Sequence, residues 1–125
     1  GKSSLLIKYT KNTFCYDYQV TTGVEFCSKI VKVNDKYSAN LQLWDTDAFF
    51  YLCVDGAGAF RAVVRSMYKG VAAVLLTYSI DSMGLLAVPD WYREIHETSH
   101  KETMIWLVGT KVDLEDIRQV PKQAG

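Results

Sequence analysis

The chain has 125 residues, of which 49% are hydrophobic and 22% are charged. This balance is typical of a folded globular protein and excludes a disordered chain, and the length leaves room for one domain, residues 1–125. Fourteen basic residues balance fourteen acidic ones, so no global charge favours binding to nucleic acid or to an anionic membrane.

The cysteines and the apolar runs indicate a cytoplasmic protein. The number of cysteines is odd, and the three are Cys15, Cys27 and Cys53. Their spacing matches no zinc-binding pattern and no signal peptide precedes them, so we expect reduced thiols. The longest apolar run, residues 71–78, is too short to cross a bilayer.

The first half of the chain predicts a helix followed by a hairpin. Residues 3–9 have the character of the opening turns of a helix, whereas residues 12–22 have no period and are predicted to form a loop. Residues 24–33 and 37–44 mostly alternate between apolar and polar side chains, with a turn signal between them. The pattern therefore predicts two antiparallel strands.

The second half predicts parallel strands joined by a helix. Residues 71–78 and 104–108 are continuous apolar runs, which are typical of parallel strands covered on both faces. Residues 91–101 are predicted to be helical, and Pro89 suits the first turn of that helix. A hairpin followed by strand, helix and strand indicates a layered α/β fold.

The chain begins with a phosphate-binding pattern. Gly1-Lys2-Ser3-Ser4 matches the second half of G-x-x-x-x-G-K-[ST], in which backbone amides hold phosphate oxygens. The Lys2 ammonium would reach the outer phosphates and the Ser3 hydroxyl would bind Mg²⁺. Taken alone, the pattern also fits an ordinary helix start.

Two further patterns follow predicted strands. Asp45 ends the second strand of the hairpin, where a carboxylate either binds the magnesium shell or caps the next turn. Thr110, Lys111 and Asp113 follow a buried strand. The Asp113 carboxylate can accept hydrogen bonds from guanine N1–H and N2–H, whereas adenine offers no matching pair; this argues against a phosphate-loop enzyme that uses ATP.

In this order the patterns resemble the Ras superfamily, and the Rab branch most closely. The matching stretches are GKSSLL, NTFCYDYQVTTGVEF, LQLWDT, FRAVVRSMYKG, WYREI, LVGTKVDLED and RQVP. The resemblance implies the three-layer α/β sandwich of Ras-like P-loop NTPases, GTP or GDP with Mg²⁺ as ligands, and a switch function in vesicle-mediated membrane traffic.

The resemblance also implies roles for individual residues. The implied nucleotide-binding residues are Gly1, Lys2, Ser3, Ser4, Thr21, Thr110, Lys111 and Asp113. The implied magnesium ligands are Ser3, Thr21 and Asp45. Thr21 stands at the switch I position, and Thr110 replaces the asparagine that most members of the family carry.

Partners and location are implied in the same way. Phe26 and Trp44 match two members of the aromatic triad that Rab proteins present to effectors, and Met67 stands at the third position beside Tyr68. Effectors, exchange factors and GTPase-activating proteins are the implied partners, with no role for nucleic acid. The implied location is the cytosolic face of endomembranes, reached through a carboxy-terminal lipid anchor that this chain does not contain.

One segment departs from the family pattern W-D-T-A-G-Q-E-R-F. Removal of residues 47–56 restores WDTAG, so we interpret them as an insertion in switch II; a genuine insertion and a mis-joined coding segment both remain open. The position of the catalytic glutamine is then occupied by Ala59, which cannot orient an attacking water. A GTP-binding module with impaired or no hydrolysis is therefore an alternative, and enzymatic activity stays open.

The ends of the chain also depart from the family. We expect the first, central strand of the family's sheet and its carboxy-terminal strand and helices to be lacking, so a truncated, non-functional product is a further alternative. Gly84 and Pro89 should shorten the long helix that the family has in this segment.

Overall fold

A computed structural model gives the fold of residues 1–14, 21, 23–46 and 58–123. The chain divides into two compact units. One contains the first helix and the hairpin, and the other contains the later helices and the parallel strands together with Gly1. The proposed insertion, residues 47–56, lies outside the described residues, as does most of the predicted loop at 12–22.

The first unit begins with helix α1, Lys2–Lys11, as the sequence predicts. The helix ends at Asn12, which has a φ of 55° and donates its N–H to the carbonyl of Lys8 at 3.0 Å. A left-handed residue in this place closes a helix, and asparagine tolerates it better than most residues do. The Lys29 ammonium lies 4.2 Å from the ring centroid of Tyr9, which ties the helix to the hairpin.

The hairpin consists of β1, Val24–Lys32, and β2, Ser38–Thr46, which pair antiparallel as predicted. The side chain of Asn34 makes the turn, because its Oδ1 accepts hydrogen bonds from the N–H groups of Lys36 and Tyr37, each at 2.9 Å. An asparagine that bonds the backbone two and three residues ahead mimics a backbone turn. Helix α1 packs against both strands.

The second unit contains helix α2, Gly58–Tyr68, strand β3, Ala73–Ser79, helix α3, Val88–Thr98, and strand β4, Met104–Thr110. The two strands are parallel, and this confirms the prediction. The 3-10 helix Met83–Ala87 precedes α3, and the 3-10 helix Val112–Ile117, which has a kink at Leu114, follows β4. Among the described residues, no helix has the length and apolar character needed to cross a bilayer.

The prediction that these parallel strands are covered on both faces is wrong for the described residues. Leu75 in β3 is 55% exposed, and Trp106 in β4 is 60% exposed. Helix α3 packs against β3. An apolar run records how hydrophobic a strand is, but it does not specify which element covers each face, and the described sheet has only two strands here.

The predicted helix at 91–101 is displaced toward the amino terminus. Helix α3 begins at Val88, has Pro89 in its first turn and ends at Thr98. Ser99 is extended and donates its N–H to the Ile95 carbonyl at 2.7 Å. The helix can begin before Pro89 because the N–H groups of a first turn have no partner within the helix, so the N–H that proline lacks is not missed there. The 3-10 helix Met83–Ala87 directly precedes this α-helix.

Four apolar side chains form the described core, and all belong to the second unit. Val64, Ile80, Ile95 and Val120 are each no more than 2% exposed. The segment after the second 3-10 helix is held to the sheet by its backbone, because Gln119 and Val120 both donate N–H groups to the Ile80 carbonyl, at 2.8 and 3.1 Å. The end of the described chain is therefore anchored at the edge where β3 ends.

An ion pair that the sequence did not predict joins α2 to α3. Arg65 Nε donates to Glu94 Oε1 at 3.0 Å, and the Glu94 side chain is only 9% exposed. Burial raises the pKa of Glu94, and the neighbouring charge of Glu97 raises it further. The arginine therefore offsets part of the cost of holding a carboxylate away from water.

Replacing Arg65 by alanine should lower the free energy of unfolding by about 1–2 kcal/mol, because Glu94 loses a charged donor while keeping its other contacts. Chemical denaturation of the full-length gene product measures this. The matched control is Arg93→Ala, since Arg93 pairs with Asp90 on the same helix at 67% and 80% exposure, and should cost less than about 0.5 kcal/mol.

The cost of Arg65→Ala should depend on pH. Folding raises the pKa of Glu94, so the folded protein holds that proton more tightly and gains stability as the pH falls. A neutral Glu94 no longer needs the arginine, and the cost should shrink below that pKa. Equal losses for Arg65→Ala and Arg93→Ala would contradict the role assigned to the pair.

Candidate functional site

Three polar side chains are buried in the unit built from α1, β1 and β2. Ser3 is 7% exposed, Thr21 is 9% exposed and Asp45 is 5% exposed. No apolar residue described in this unit is buried to that degree. Burial of polar groups costs free energy unless they are bonded, so a buried polar set in place of an apolar core indicates a binding site.

Two of these residues present hydroxyls to each other. Ser3 lies in the first turn of α1, and its Oγ is 2.7 Å from Thr21 Oγ1. They are 18 positions apart in the sequence. Hydroxyl oxygens are hard ligands of the type that Mg²⁺ takes, so the structure brings together two of the three predicted magnesium ligands.

The third predicted ligand carries an unpartnered oxygen. Asp45 is the penultimate residue of β2, opposite Glu25 in β1. Its Oδ2 is buried and has no hydrogen-bond partner among the described residues. A buried acceptor without a partner costs about 1–3 kcal/mol. Two hydroxyls and a carboxylate form an all-oxygen donor set, and these residues therefore fit a hard divalent cation.

The predicted phosphate-binding residues lie at the start of α1. The helix begins at Lys2, and both Lys2 and Ser4 are half-buried. The first N–H groups of a helix have no partner within it, and they carry the positive end of the helix dipole. This arrangement favours an anion near Lys2.

The described residues contain no group of three or more His, Cys, Asp or Glu side chains that could hold a metal.

The position of Gly1 tolerates no side chain. A Cβ atom there would lie 2.7 Å from Thr110 Oγ1 and 3.2 Å from Thr110 Cβ. Both residues belong to the second unit. The Thr110 hydroxyl donates to the Tyr78 carbonyl at 2.8 Å, so it is not free to move aside. The glycine of the phosphate pattern is therefore required by close packing against the first residue of the guanine pattern.

The guanine pattern lies at the carboxyl edge of the parallel pair. Ser79 in β3 is in register with Thr110 in β4, so both strands end at the same edge. Ligands of α/β proteins bind outside this edge of the sheet. Asp113 is exposed in the 3-10 helix Val112–Ile117 and forms no ion pair with the described residues. Its carboxylate is thus available to a ligand.

Lys111 is held in an uncommon conformation. Its φ and ψ are 60° and 41°, in the left-handed region, which costs a non-glycine residue roughly 1–2 kcal/mol. Its Nζ lies 2.9 Å from Asp81 Oδ2. A backbone bond from Leu114 N–H to the Lys111 carbonyl, at 3.0 Å, closes the turn that contains Asp113.

Sequence reasoning missed Asp81. Its other oxygen, Oδ1, accepts a hydrogen bond from the Ser79 hydroxyl. That bond and the ammonium of Lys111 lower the pKa of Asp81 against the opposing effect of desolvation. The available signal was an acid just after the end of β3, on the edge at which Lys111 follows β4.

The predicted effector residues are divided between the units. Phe26 and Trp44 are directly opposed in the hairpin, with ring centroids 4.6 Å apart, and they are 52% and 49% exposed. Met67 lies in α2 and is half-buried, beside Tyr68, whose pKa is raised by burial. The structure therefore brings together the first two residues as an exposed aromatic pair.

Ala59, at the position predicted for the catalytic glutamine, lies in the first turn of α2.

The sequence model of the Ras family matches residues 1–125. The chain belongs to the Ras family. This confirms the predicted family and the α/β class. The chain is similar to the Ras-related protein Rab-11B of Dictyostelium discoideum, at 36% identity over 100% of this chain and 53% of that protein. It is also similar to RABA1h of Arabidopsis thaliana, at 34% identity over 96% of this chain and 51% of that protein. A third relative is Rab11D of Nicotiana tabacum, at 33% identity over 98% of this chain and 52% of that protein.

The chain thus spans about half the length of the curated Ras-related proteins that it matches. Within the Ras family its likeness is to Rab proteins, as the sequence predicts, and two of these relatives are of the Rab11 type. The stretch that carries Ser3, Thr21 and Asp45 and the stretch that carries Thr110, Lys111 and Asp113 both fall inside the family match.

Proposed function

We propose that this Ras-family chain is a Rab-like switch that binds GDP and GTP with Mg²⁺ and acts in vesicle-mediated membrane traffic. The observation that supports it most is the buried set of Ser3, Thr21 and Asp45, in which two hydroxyls meet at 2.7 Å and a carboxyl oxygen has no described partner. A cation that binds phosphate is the ligand that such a set suits.

In this proposal the start of α1 holds the phosphates. Gly1, Ser3 and Ser4 offer backbone N–H groups at or just before a helix amino terminus, where an anion is stabilised. Lys2 adds a point charge toward the outer phosphates. Ser3, Thr21 and Asp45 would hold Mg²⁺, which neutralises charge on the phosphate oxygens.

The base would be selected by the guanine pattern. Asp113 accepts hydrogen bonds from the guanine N1–H and N2–H groups, each worth about 1.5–3 kcal/mol when the acceptor is charged. Adenine would leave the carboxylate without these donors. Thr110 and Lys111 hold the loop from which Asp113 projects, since the first bonds the Tyr78 carbonyl and the second pairs with Asp81.

Switching would depend on Thr21. Its hydroxyl is hydrogen-bonded to the Ser3 hydroxyl. A ligand that binds either oxygen would therefore change the contacts of Thr21, which precedes β1. Loss of the γ-phosphate would release that segment, which is an order–disorder switch. The exposed pair Phe26 and Trp44 lies in the hairpin that starts there, and we assign it to effector binding together with Met67.

Further parts of the proposal concern partners and location. Exchange factors and GTPase-activating proteins would set the nucleotide state, and a lipid anchor elsewhere in the full-length protein would place it on the cytosolic face of endomembranes. These expectations rest on the similarity to Rab proteins over half of their length.

A second candidate is a guanine-nucleotide-binding module that hydrolyses GTP slowly or not at all. It is favoured by Ala59, because a methyl group at the glutamine position cannot orient water. In this form the protein would accumulate with GTP bound and would recruit effectors for longer.

The test uses fluorescent GDP, GTP and ATP with Mg²⁺ and the full-length gene product. We expect tight binding of both guanine nucleotides and none of ATP, with chelation of Mg²⁺ accelerating release. Phosphate release in single-turnover conditions then separates the candidates, since a rate like that of ordinary Rab proteins would exclude the second. Equal binding of ATP, or no binding of any nucleotide, would exclude both.

A further inference from the structure

The pair formed by Asp81 and Lys111 is organised on both sides of the carboxylate. Oδ2 meets the Lys111 ammonium at 2.9 Å, and Oδ1 accepts the Ser79 hydroxyl. The Asp81 side chain is only 15% exposed, whereas that of Lys111 is 47% exposed. A carboxylate held by two donors is fixed in one rotamer, so it can orient the longer and more mobile lysine.

The position of the pair connects it to the guanine pattern. Asp81 follows β3 and Lys111 follows β4, whose ends are in register at Ser79 and Thr110. Lys111 is left-handed and begins the turn that Leu114 closes onto its carbonyl. Lys111 therefore belongs both to the ion pair and to the turn that contains Asp113.

We propose that Asp81 is a positioning residue for guanine-nucleotide binding, which acts by holding Lys111 and the turn around Asp113. The inference rests on the proposed function and adds a residue outside the guanine pattern itself. Asp81 would act through Lys111 and the turn, and not by contact with the base. Its contribution should therefore appear in how long a nucleotide stays bound.

The ion pair should matter little for folding. Asp81→Asn leaves the half-exposed Lys111 ammonium, which water can solvate, and keeps a polar side chain of the same shape, so loss of this pair should cost little stability. A ligand that depends on the same lysine gains more, because the ordering cost has been met before binding. If the Asp81–Lys111 pair is structural, its loss should lower stability. If it positions Lys111 for the ligand, its loss should weaken nucleotide binding and leave stability almost unchanged.

The experiment measures the dissociation rate of fluorescent GDP, with Mg²⁺, from the full-length gene product. Asp81→Asn should raise that rate about tenfold, the effect of one lost interaction of modest strength. The control, Asp90→Asn, removes the same charge from an exposed pair with Arg93 on α3 and should leave the rate unchanged. Both variants should keep the wild-type midpoint of thermal unfolding without nucleotide.

Two further variants keep the test decisive. Ser79→Ala removes one donor to Asp81 and leaves the charge pair, and should raise the rate by about twofold to threefold. In a Lys111→Met background, Asp81→Asn should add little, because the residue through which it acts is gone. If Asp81→Asn lowers stability too far to measure release, the Ser79→Ala result decides.

The outcomes distinguish failure of the positioning role of Asp81 from failure of the proposed function. A wild-type protein that retains GDP, with equal release from Asp81→Asn and Asp90→Asn, overturns the positioning role and leaves the proposed function standing. An undiminished effect of Asp81→Asn in the Lys111→Met background also overturns it. A wild-type protein that binds no guanine nucleotide refutes the proposed function and this inference with it.

Discussion

Replacing Asp113 by asparagine should weaken the binding of GDP at least about a hundredfold and create binding of xanthosine diphosphate. The carboxylate accepts two hydrogen bonds, from N1–H and N2–H of guanine. An amide presents one acceptor and one donor, so its donor would face the N2 amino group of guanine. Xanthine carries an oxygen at that position, which accepts the amide proton. Because Asp113 is exposed, the change should cost little stability.

The measurement is equilibrium binding of fluorescent GDP and xanthosine diphosphate to the full-length gene product. The matched control is Asp116→Asn, in the same 3-10 helix and also exposed, which should leave the affinity for both nucleotides unchanged. Loss of GDP binding without any gain for xanthine would mean that Asp113 supports the loop and does not read the base. Unchanged GDP binding would remove Asp113 from the site altogether.

Most of the fold could be predicted because local patterns determine it. Alternation at 24–33 and 37–44 specifies two half-exposed strands, and the Asn34 turn between them fixes the antiparallel register. Continuous apolar runs specify strands of a parallel pair, and β3 and β4 pair in that way. Boundaries were less certain, since helix α3 begins at Val88, where Pro89 is tolerated in the first turn.

The exposed faces of β3 and β4 show what an apolar pattern leaves open. Leu75 and Trp106 are as apolar as core residues, yet more than half of each is exposed. Hydrophobicity specifies that a side chain favours burial. It does not identify the element that buries it: helix α3 packs against β3, yet Leu75 in that strand stays exposed.

For the site, the sequence predicted residues but not their interactions. The Gly-Lys-Ser pattern pointed to Ser3, and positions at the ends of strands pointed to Asp45 and Asp113, because these patterns are short and contiguous. It did not predict Asp81, whose partner Lys111 is 30 positions away. It also missed Glu94, which is polar and lies on a helix face where Arg65 from another helix meets it. Such contacts depend on tertiary packing, and no local pattern encodes them.

The magnesium set makes a prediction in which stability and function change in opposite directions. Replacing Asp45 by asparagine keeps the shape of the side chain and removes the charge from a buried group whose Oδ2 has no described partner. Without nucleotide and Mg²⁺ the free energy of unfolding should rise, because a neutral amide costs less to hold away from water than a carboxylate does.

With ligand present the order should reverse. A ligand at a hundred times its dissociation constant stabilises the folded state by about 2.7 kcal/mol, and Asp45→Asn should lose most of that gain because it lacks the negative charge that holds the cation. Thermal unfolding of the full-length gene product, with and without Mg²⁺ and GDP, measures both effects. Asp35→Asn is the control, since Asp35 is a fully exposed acid in the same unit.

The sign of the effect without ligand discriminates between two roles for Asp45. A carboxylate that caps a turn stabilises the free protein, so its replacement would lower stability in every condition. A carboxylate kept for a cation is a cost that the free protein bears, and its replacement stabilises that form alone. Destabilisation of both forms by Asp45→Asn, with an intact gain from Mg²⁺ and GDP, would therefore assign Asp45 to the turn and remove it from the metal site.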